Sequence, residues 1–220
     1  MLEKLIKKRR ISNDKGEYHF RPVPLYFGRK IMNEKQALEN LRVFKAIMDE
    51  NEITFGLFYG TLLGAVRNSK FIEFDEDIDV FVFENNLPKL LNLLHSFREL
   101  GFEVARYRND LLTLIRNDES IDINIFRKIN NNEYQSYNIA LPSSFFENLT
   151  SIDFYNIKIK IPYQYEEFLT LAYGESWRVP IQNRYATLAE GKQSFNRRVA
   201  KALPKKVSYL VHVFLLIIRK

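Results

Sequence analysis

The chain has 220 residues, 46% of them apolar, which suits one domain with a sizeable core. Eighteen Phe and twelve Tyr argue against disorder, and the lack of cysteine excludes disulfides and thiolate-bound zinc and fits a reducing, cytoplasmic setting. The net charge is +6, but residues 191–220 alone carry eight Lys and Arg and no acid, leaving residues 1–190 at −2, so the basicity belongs to a tail and no nucleic-acid partner is expected.

Residues 1–32 read as a basic, irregular extension, with Pro22 and Pro24 favouring an extended run; the charged start lacks the apolar stretch of a secretory signal. Asn33, with Gln36 three residues on, predicts a capped helix start, and Leu38, Leu41, Phe44, Ile47 and Met48 follow at helical spacing. Residues 54–59 read as a short strand, 60–67 as a short helix, 68–74 as a loop and 75–83 as a strand. An amphipathic helix over 86–100 ends at Gly101. Strands are predicted over 102–107, 111–116 and 121–126, with turns at 108–110 and 117–120. A strand over 151–161 and a helix over 162–173 follow, then a weakly patterned loop over 183–191. The tail, 196–218, is predicted helical with a break at Pro204. Helix, strand, helix and several neighbouring strands suggest an α+β or mixed α/β domain.

Chemistry concentrates in residues 58–83, F-Y-G-T-L-L-G-A-V-R-N-S-K-F-I-E-F-D-E-D-I-D-V-F-V-F. Side chains two apart on a strand share a face, so strand parity aligns Asp79, Asp77 and Asp75, with Glu76 pointing away. Two carboxylates about 5–6 Å apart repel by roughly 3 kcal/mol at an effective dielectric near 20. Acids enter a strand such as Val80–Phe83 only when paired or coordinating, so a cation is expected beside them. With three histidines in the chain, a hard ion held by oxygen fits best. An EF-hand loop fails at its glycine position, Val80, and at its twelfth, Asn86. Asp122 interrupts the apolar run Ile121, Ile123, Ile125 on the opposite face and is a candidate third carboxylate, the number that two close cations need. Gly60 and Thr61, at a strand-to-helix junction, offer backbone N–H groups to a phosphate, and Arg67 and Lys70 are candidate charge partners for a diphosphate. The segment around Tyr173-Gly174 either closes over the pocket or packs the helix end, with packing favoured.

Together, Gly-Thr, a short helix, D-x-D in a strand and a later strand Asp resemble the DNA polymerase beta-type nucleotidyltransferase constellation. Within it, Y-G-T-L-L-G-A-V-R-N-S-K-F-I-E-F-D-E-D-I-D-V resembles the LicD family, which includes phosphorylcholine transferases and is related to fukutin. The resemblance is strong over 55–83 and weaker through Asp122 and residues 165–177. Phe74 stands where that family often has Trp, and Glu76 where it often has Asp. The resemblance implies an α+β nucleotidyltransferase fold with a mixed sheet flanked by helices, over 33–190 and between a basic extension (1–32) and a basic helical tail (191–220). It implies Mg²⁺ or Mn²⁺ on Asp77, Asp79 and Asp122, with Asp75 auxiliary. It further implies transfer of phosphocholine or a similar phospho-alcohol from a CDP-linked donor to a hydroxyl of a cell-surface glycan, lipopolysaccharide, capsule or lipid-linked precursor. Gly60, Thr61, Arg67 and Lys70 would bind the donor. Nucleotidyl transfer from ATP or CTP to a protein, RNA or small-molecule hydroxyl is the alternative chemistry, and a non-enzymatic binding module a lesser one. The apolar run Val207–Ile218, too short to span a bilayer and flanked by Lys205, Lys206, Arg219 and Lys220, is read either as a peripheral contact of residues 196–220 with the cytoplasmic face of a membrane or as a packed helix.

Overall fold

Alternating Ile, Val and Phe in β4 (Ile78–Phe83) and β7 (Glu119–Asn130) build the centre of a mixed sheet, where the two strands run parallel. The computed structural model describes residues 2–26, 29–108, 110–137, 139–181 and 204–218. Around that centre lie β3 (Phe55–Leu57), β5 (Glu103–Arg108), β6 (Leu111–Arg116), β10 (Leu149–Phe154) and β11 (Ile157–Pro162). Their order is β10-β11-β3-β4-β7-β6-β5, and β8 (Glu133–Ser136) and β9 (Ile139–Pro142) extend from the far end of β7. The β3–β4 pair is antiparallel and β11–β3 parallel, so the sheet is mixed, as expected of this α+β fold.

Helix α1 (Glu34–Glu50) starts at the expected cap: the Asn33 side chain accepts from the Gln36 N–H at 3.0 Å. The reciprocal half of the cap comes from elsewhere. Gln36 reaches Asn40, and the Asn33 N–H donates to the buried carboxylate of Glu119 on β7, which also holds Lys30. Ala37, Leu41, Phe44 and Met48 bury fully against the sheet. Helix α2 (Tyr59–Asn68) is the short helix expected after β3. The helix expected over 86–100 is broken at Leu93 into α3 (Leu87–Asn92) and α4 (Leu94–Glu99); Leu93, at ψ −4°, turns the chain back through a three-residue bond to Leu90. Gly101 ends the run at φ +87°, where an L side chain is strained.

Three other expectations change. Residues 2–20 are not irregular: a 3₁₀ turn (Leu2–Leu5) leads to a hairpin of β1 (Arg9–Asn13) and β2 (Gly16–Phe20), and beyond it the Val23 N–H donates to Ala105 on β5. Ile11, Tyr18 and Phe20 thereby join the main core. The strand expected over 151–161 is a hairpin, β10 and β11, turning on Tyr155 and Asn156 in left-handed conformations. The helix expected from Pro162 begins three residues later, because Pro162 still pairs with Leu149; it is α6 (Tyr165–Tyr173), and α5 (Ser144–Glu147) precedes it. In the tail, α7 (Lys205–Ile218) starts directly after Pro204, and the loop expected over 183–191 lies outside the described residues.

Candidate active site

The acids sit where β4 begins. The strand starts at Ile78, so parity places Asp79 alone; Asp77 precedes it at a bend and Asp75 follows the turn at 73–74. Their charges nevertheless act on one another. Burial pushes the Asp77 carboxyl far above the usual range, and the charges of Asp79, Asp122 and Asp75 add to it. Burial does the same to Asp79, reinforced by Asp122 and Asp75 and opposed by a Gly60 N–H and by Arg106. Asp75 is raised to about 7 by burial, partly offset by the Glu76 N–H. Its Oδ2 is buried with no hydrogen-bond partner.

The β3–α2 junction clamps this region. The Phe58 N–H donates to the Asp79 carbonyl at 3.0 Å, and the Asp79 N–H donates to Thr61 Oγ1 at 2.9 Å. Tyr59 takes φ +37° to open the helix here. A Cβ at Gly60 would stand 2.8 Å from Asp75 Oδ2, so only glycine admits that carboxylate. Thr61 is fully buried and spends its hydroxyl on the Asp79 backbone. Its side chain therefore positions the acid strand. Gly60 stays partly exposed beside the acids.

Register supplies the rest. Asp79 on β4 is the direct neighbour of Asp122 on β7, Asp122 pairs with Thr113 on β6, and Thr113 pairs with Arg106 on β5. One row of side chains thus crosses four strands. Asp122 accepts from Thr113 Oγ1 at 2.6 Å and from the Arg106 guanidinium at 2.8 Å, while Arg106 Nε donates to Thr113 at 3.1 Å. Arg106 is the cation whose field reaches the acids. Arg67 instead sits in the last turn of α2, about 10 Å of helix rise from Gly60. Burial lowers its pKa, with no acid acting on it. Lys70 is exposed in the following loop. Neither takes part in the acid cluster as the chain stands.

Tyr173, at the end of α6, is 4% exposed, and its phenol is raised far above the usual value, first by burial and then by Asp79, Asp75, Tyr59 and Asp77. It packs the helix end, as favoured, and also faces the acids. Beneath them, Phe58 stacks on Phe168 at 4.8 Å and meets Phe126 edge-on at 5.2 Å, a rigid apolar floor.

Among the described residues, no three His or acidic side chains are already arranged to hold a metal ion. The donor set still fits Mg²⁺ or Mn²⁺ in kind. Two adjacent desolvated carboxylates repel each other, a third has an orphaned oxygen, and Mg²⁺ commonly takes one or two carboxylates with the remaining positions filled by water and substrate phosphate.

Comparison with known proteins decides the family. Residues 52–164, just over half of the chain, match the model of the LicD/FKTN/FKRP nucleotidyltransferase domain. The chain belongs to this family. An uncharacterised protein of Rickettsia typhi is 28% identical over 188 residues, 82% of this chain and 58% of that protein. The ribitol-5-phosphate transferase FKTN of Mus musculus is 24% identical over 160 residues, 67% of this chain and 34% of its own length. The lipopolysaccharide cholinephosphotransferase LicD of Haemophilus influenzae is 33% identical over 57 residues, 26% of this chain and 22% of its own length. The chain thus spans less than two thirds of each of these relatives. Among solved structures, the antibiotic-resistance factor ANT(2″)-Ia aligns with a TM-score of 0.51 at 13% identity, covering 84% of this chain and 91% of that one. That likeness concerns the fold. LicD/FKTN/FKRP membership is consistent with the strand-to-helix junction and acid strand that single out residues 58–83, all within the matched region.

Sequence reasoning missed Arg106, Thr113 and the inward side of Tyr173. Arg106 sits beside a register shift on β5, between Val104 and Arg106, so alternation along that strand does not give its facing. Only its turn-linked pairing with β6 carried a signal.

Proposed function

We propose that this LicD/FKTN/FKRP family chain transfers a phospho-alcohol group, phosphocholine or a similar one, from a CDP-linked donor to a hydroxyl of a cell-surface glycan or its lipid-linked precursor. The observation that carries the reading is the register that sets Asp79 beside Asp122 on the adjacent parallel strand, with Asp77 two residues before Asp79 and its carboxyl raised by burial and by the charges of both. The named activities of the relatives FKTN and LicD, both phospho-alcohol transfers, support the class of reaction.

In the reaction, an acceptor oxygen attacks the phosphorus that bears the alcohol, the bond from that phosphorus to the CMP oxygen breaks, and the hydroxyl proton leaves to a base. Asp77 and Asp79 would hold a divalent ion, which when bound would neutralise charge gathering on the phosphate oxygens. Asp122 lies closest in register to Asp79 and is the proposed proton acceptor or holder of a second ion; Arg106 and Thr113 fix its rotamer. The Gly60 N–H keeps Asp79 aimed, and Arg67 and Lys70 are left for the nucleotide or acceptor side. No covalent intermediate is needed, because positioning and electrostatics carry phosphoryl transfer.

The test is product analysis with Mg²⁺, offering CDP-choline and CDP-ribitol in parallel with CTP and ATP. CMP release from a CDP-alcohol supports the reading. Pyrophosphate release from a triphosphate, with no CMP from the CDP-alcohols, would replace it with nucleotidyl transfer. Asp77→Asn and Asp79→Asn should each lower turnover by about a thousandfold or more, in line with the several kcal/mol such charge stabilisation supplies, while the melting temperature without metal holds or rises. Near wild-type turnover in either variant contradicts the assignment.

A further inference from the structure

Helix α7 (Lys205–Ile218) contains no acidic residue and buries only Ser208 and Val213 against the rest of the molecule. The His212 ring lies 5.4 Å from that of Tyr26, and the helix packs on the 3₁₀ turn Leu2–Leu5. The opposite face is left open. Val207, Leu210, Val211, Phe214 and Ile218 are 39–61% exposed. At 100° per residue these five fall within an arc of about 100°, a continuous apolar stripe with no polar member. Leu5, on the packed turn, is 60% exposed. Soluble surfaces rarely leave such a stripe uncovered.

The charges around it are mostly basic, Glu3 on the packed turn being the exception. Lys205 and Lys206 at the helix start, and Lys4, Lys7 and Lys8 on the packed N-terminal segment, are all exposed. Fourteen residues of helix reach about 21 Å, short of the roughly 30 Å hydrocarbon core. No described helix is long and apolar enough to cross a membrane. A helix with an apolar face, basic ends and no acids suits the plane of a bilayer surface, with lysine stems reaching to the headgroups. A second copy of the chain would bring the same lysines to the contact, whereas an anionic bilayer complements them.

We propose that α7 forms a docking face for anionic lipid bilayers, the apolar stripe entering the interface and the lysines at the helix start meeting the headgroups. The proposal is independent of the chemistry assigned to the acid cluster.

Sedimentation of the full chain with phosphatidylcholine vesicles, with and without phosphatidylglycerol, tests it. The chain should sediment with the anionic vesicles and far less with the neutral ones. Lys205→Gln with Lys206→Gln should weaken binding by roughly tenfold or more, since each lysine near an anionic surface is worth about fivefold. Leu210→Gln with Phe214→Gln should weaken it at least as much, while leaving the melting temperature unchanged because both positions are exposed. Asp77→Asn should bind vesicles like the wild type, which separates this face from the site. No sedimentation with anionic vesicles, equal binding to both compositions, or binding untouched by the Leu210 and Phe214 changes overturns the proposal. So does a stable dimer that forms through the stripe and excludes vesicles.

Discussion

Arg106 decides how four carboxylates share a small volume. Its guanidinium holds one oxygen of Asp122, and its charge opposes the rise in the pKa of Asp77 and Asp79. Arg106→Met removes the one side-chain cation shown acting on these acids. Asp122 then keeps only the Thr113 hydroxyl, and the buried acids hold their protons more tightly. Melting temperature in chelator at pH 8 should fall by several degrees, given roughly 1–3 kcal/mol for a charged partner lost at a partly buried site. The loss should shrink at pH 5, where the acids take up protons. A pH-independent loss would mean that Arg106 only packs. Asp79 and Asp122 were legible as single residues because each interrupts an apolar run. Arg106 was not, because the bulge beside it hides its facing. Asp75 and Asp77 precede the strand, so strand parity, which aligned them in the sequence, does not govern their placement.

Among the elements, the junction of β3 and α2 does the positioning. Thr61→Val keeps the side-chain shape but leaves the Asp79 N–H without its acceptor in a buried place, at a cost of about 1–3 kcal/mol. At roughly 2–4 °C per kcal/mol for a chain of this size, the melting temperature should drop measurably, and turnover should fall with it as Asp79 loosens. Thr61→Ser should restore most of both. If Thr61→Val matched the wild type in stability and turnover, the clamp would have no role. Elements announced by their own chemistry were readable: the Asn33 cap, the Gly101 stop and the apolar β4 and β7. The β10–β11 turn was not, because Tyr155 and Asn156 adopt left-handed conformations without a glycine to signal them. Leu93 likewise breaks a helix inside an unbroken periodic pattern, with no local signal to mark it.

At the scale of the whole molecule, the family and the α+β fold were within reach of the sequence, since residues 58–83 carry the defining pattern. The strand order was not, because the parallel pairing of β4 with β7 joins residues some forty positions apart. Neither was the docking of the N-terminal hairpin on the main core. The acid cluster has a global consequence for stability. Asp75, Asp77 and Asp79 have folded-state pKa values above the ordinary carboxylate value, so the folded chain binds more protons than the unfolded one. Their contribution is fully present below about pH 4 and is lost as pH climbs, through about 7 for Asp75, with the other two acting in the same direction. In chelator, melting temperature should therefore rise when the pH is lowered from 8 to 6. A divalent ion at the cluster should raise it at pH 8 and flatten that dependence.

Thermal unfolding at pH 8 in chelator, in Mg²⁺, and in Mg²⁺ with a CDP-alcohol, for the wild type and for Asp77→Asn with Asp79→Asn, tests the central claim most directly. Wild-type melting temperature should rise with Mg²⁺ and again with the CDP-alcohol, because both bind only the folded chain, and the double variant should show neither rise. Equal rises in the two proteins, or none in the wild type, would contradict the claim that Asp77 and Asp79 hold a divalent ion against a nucleotide-linked diphosphate.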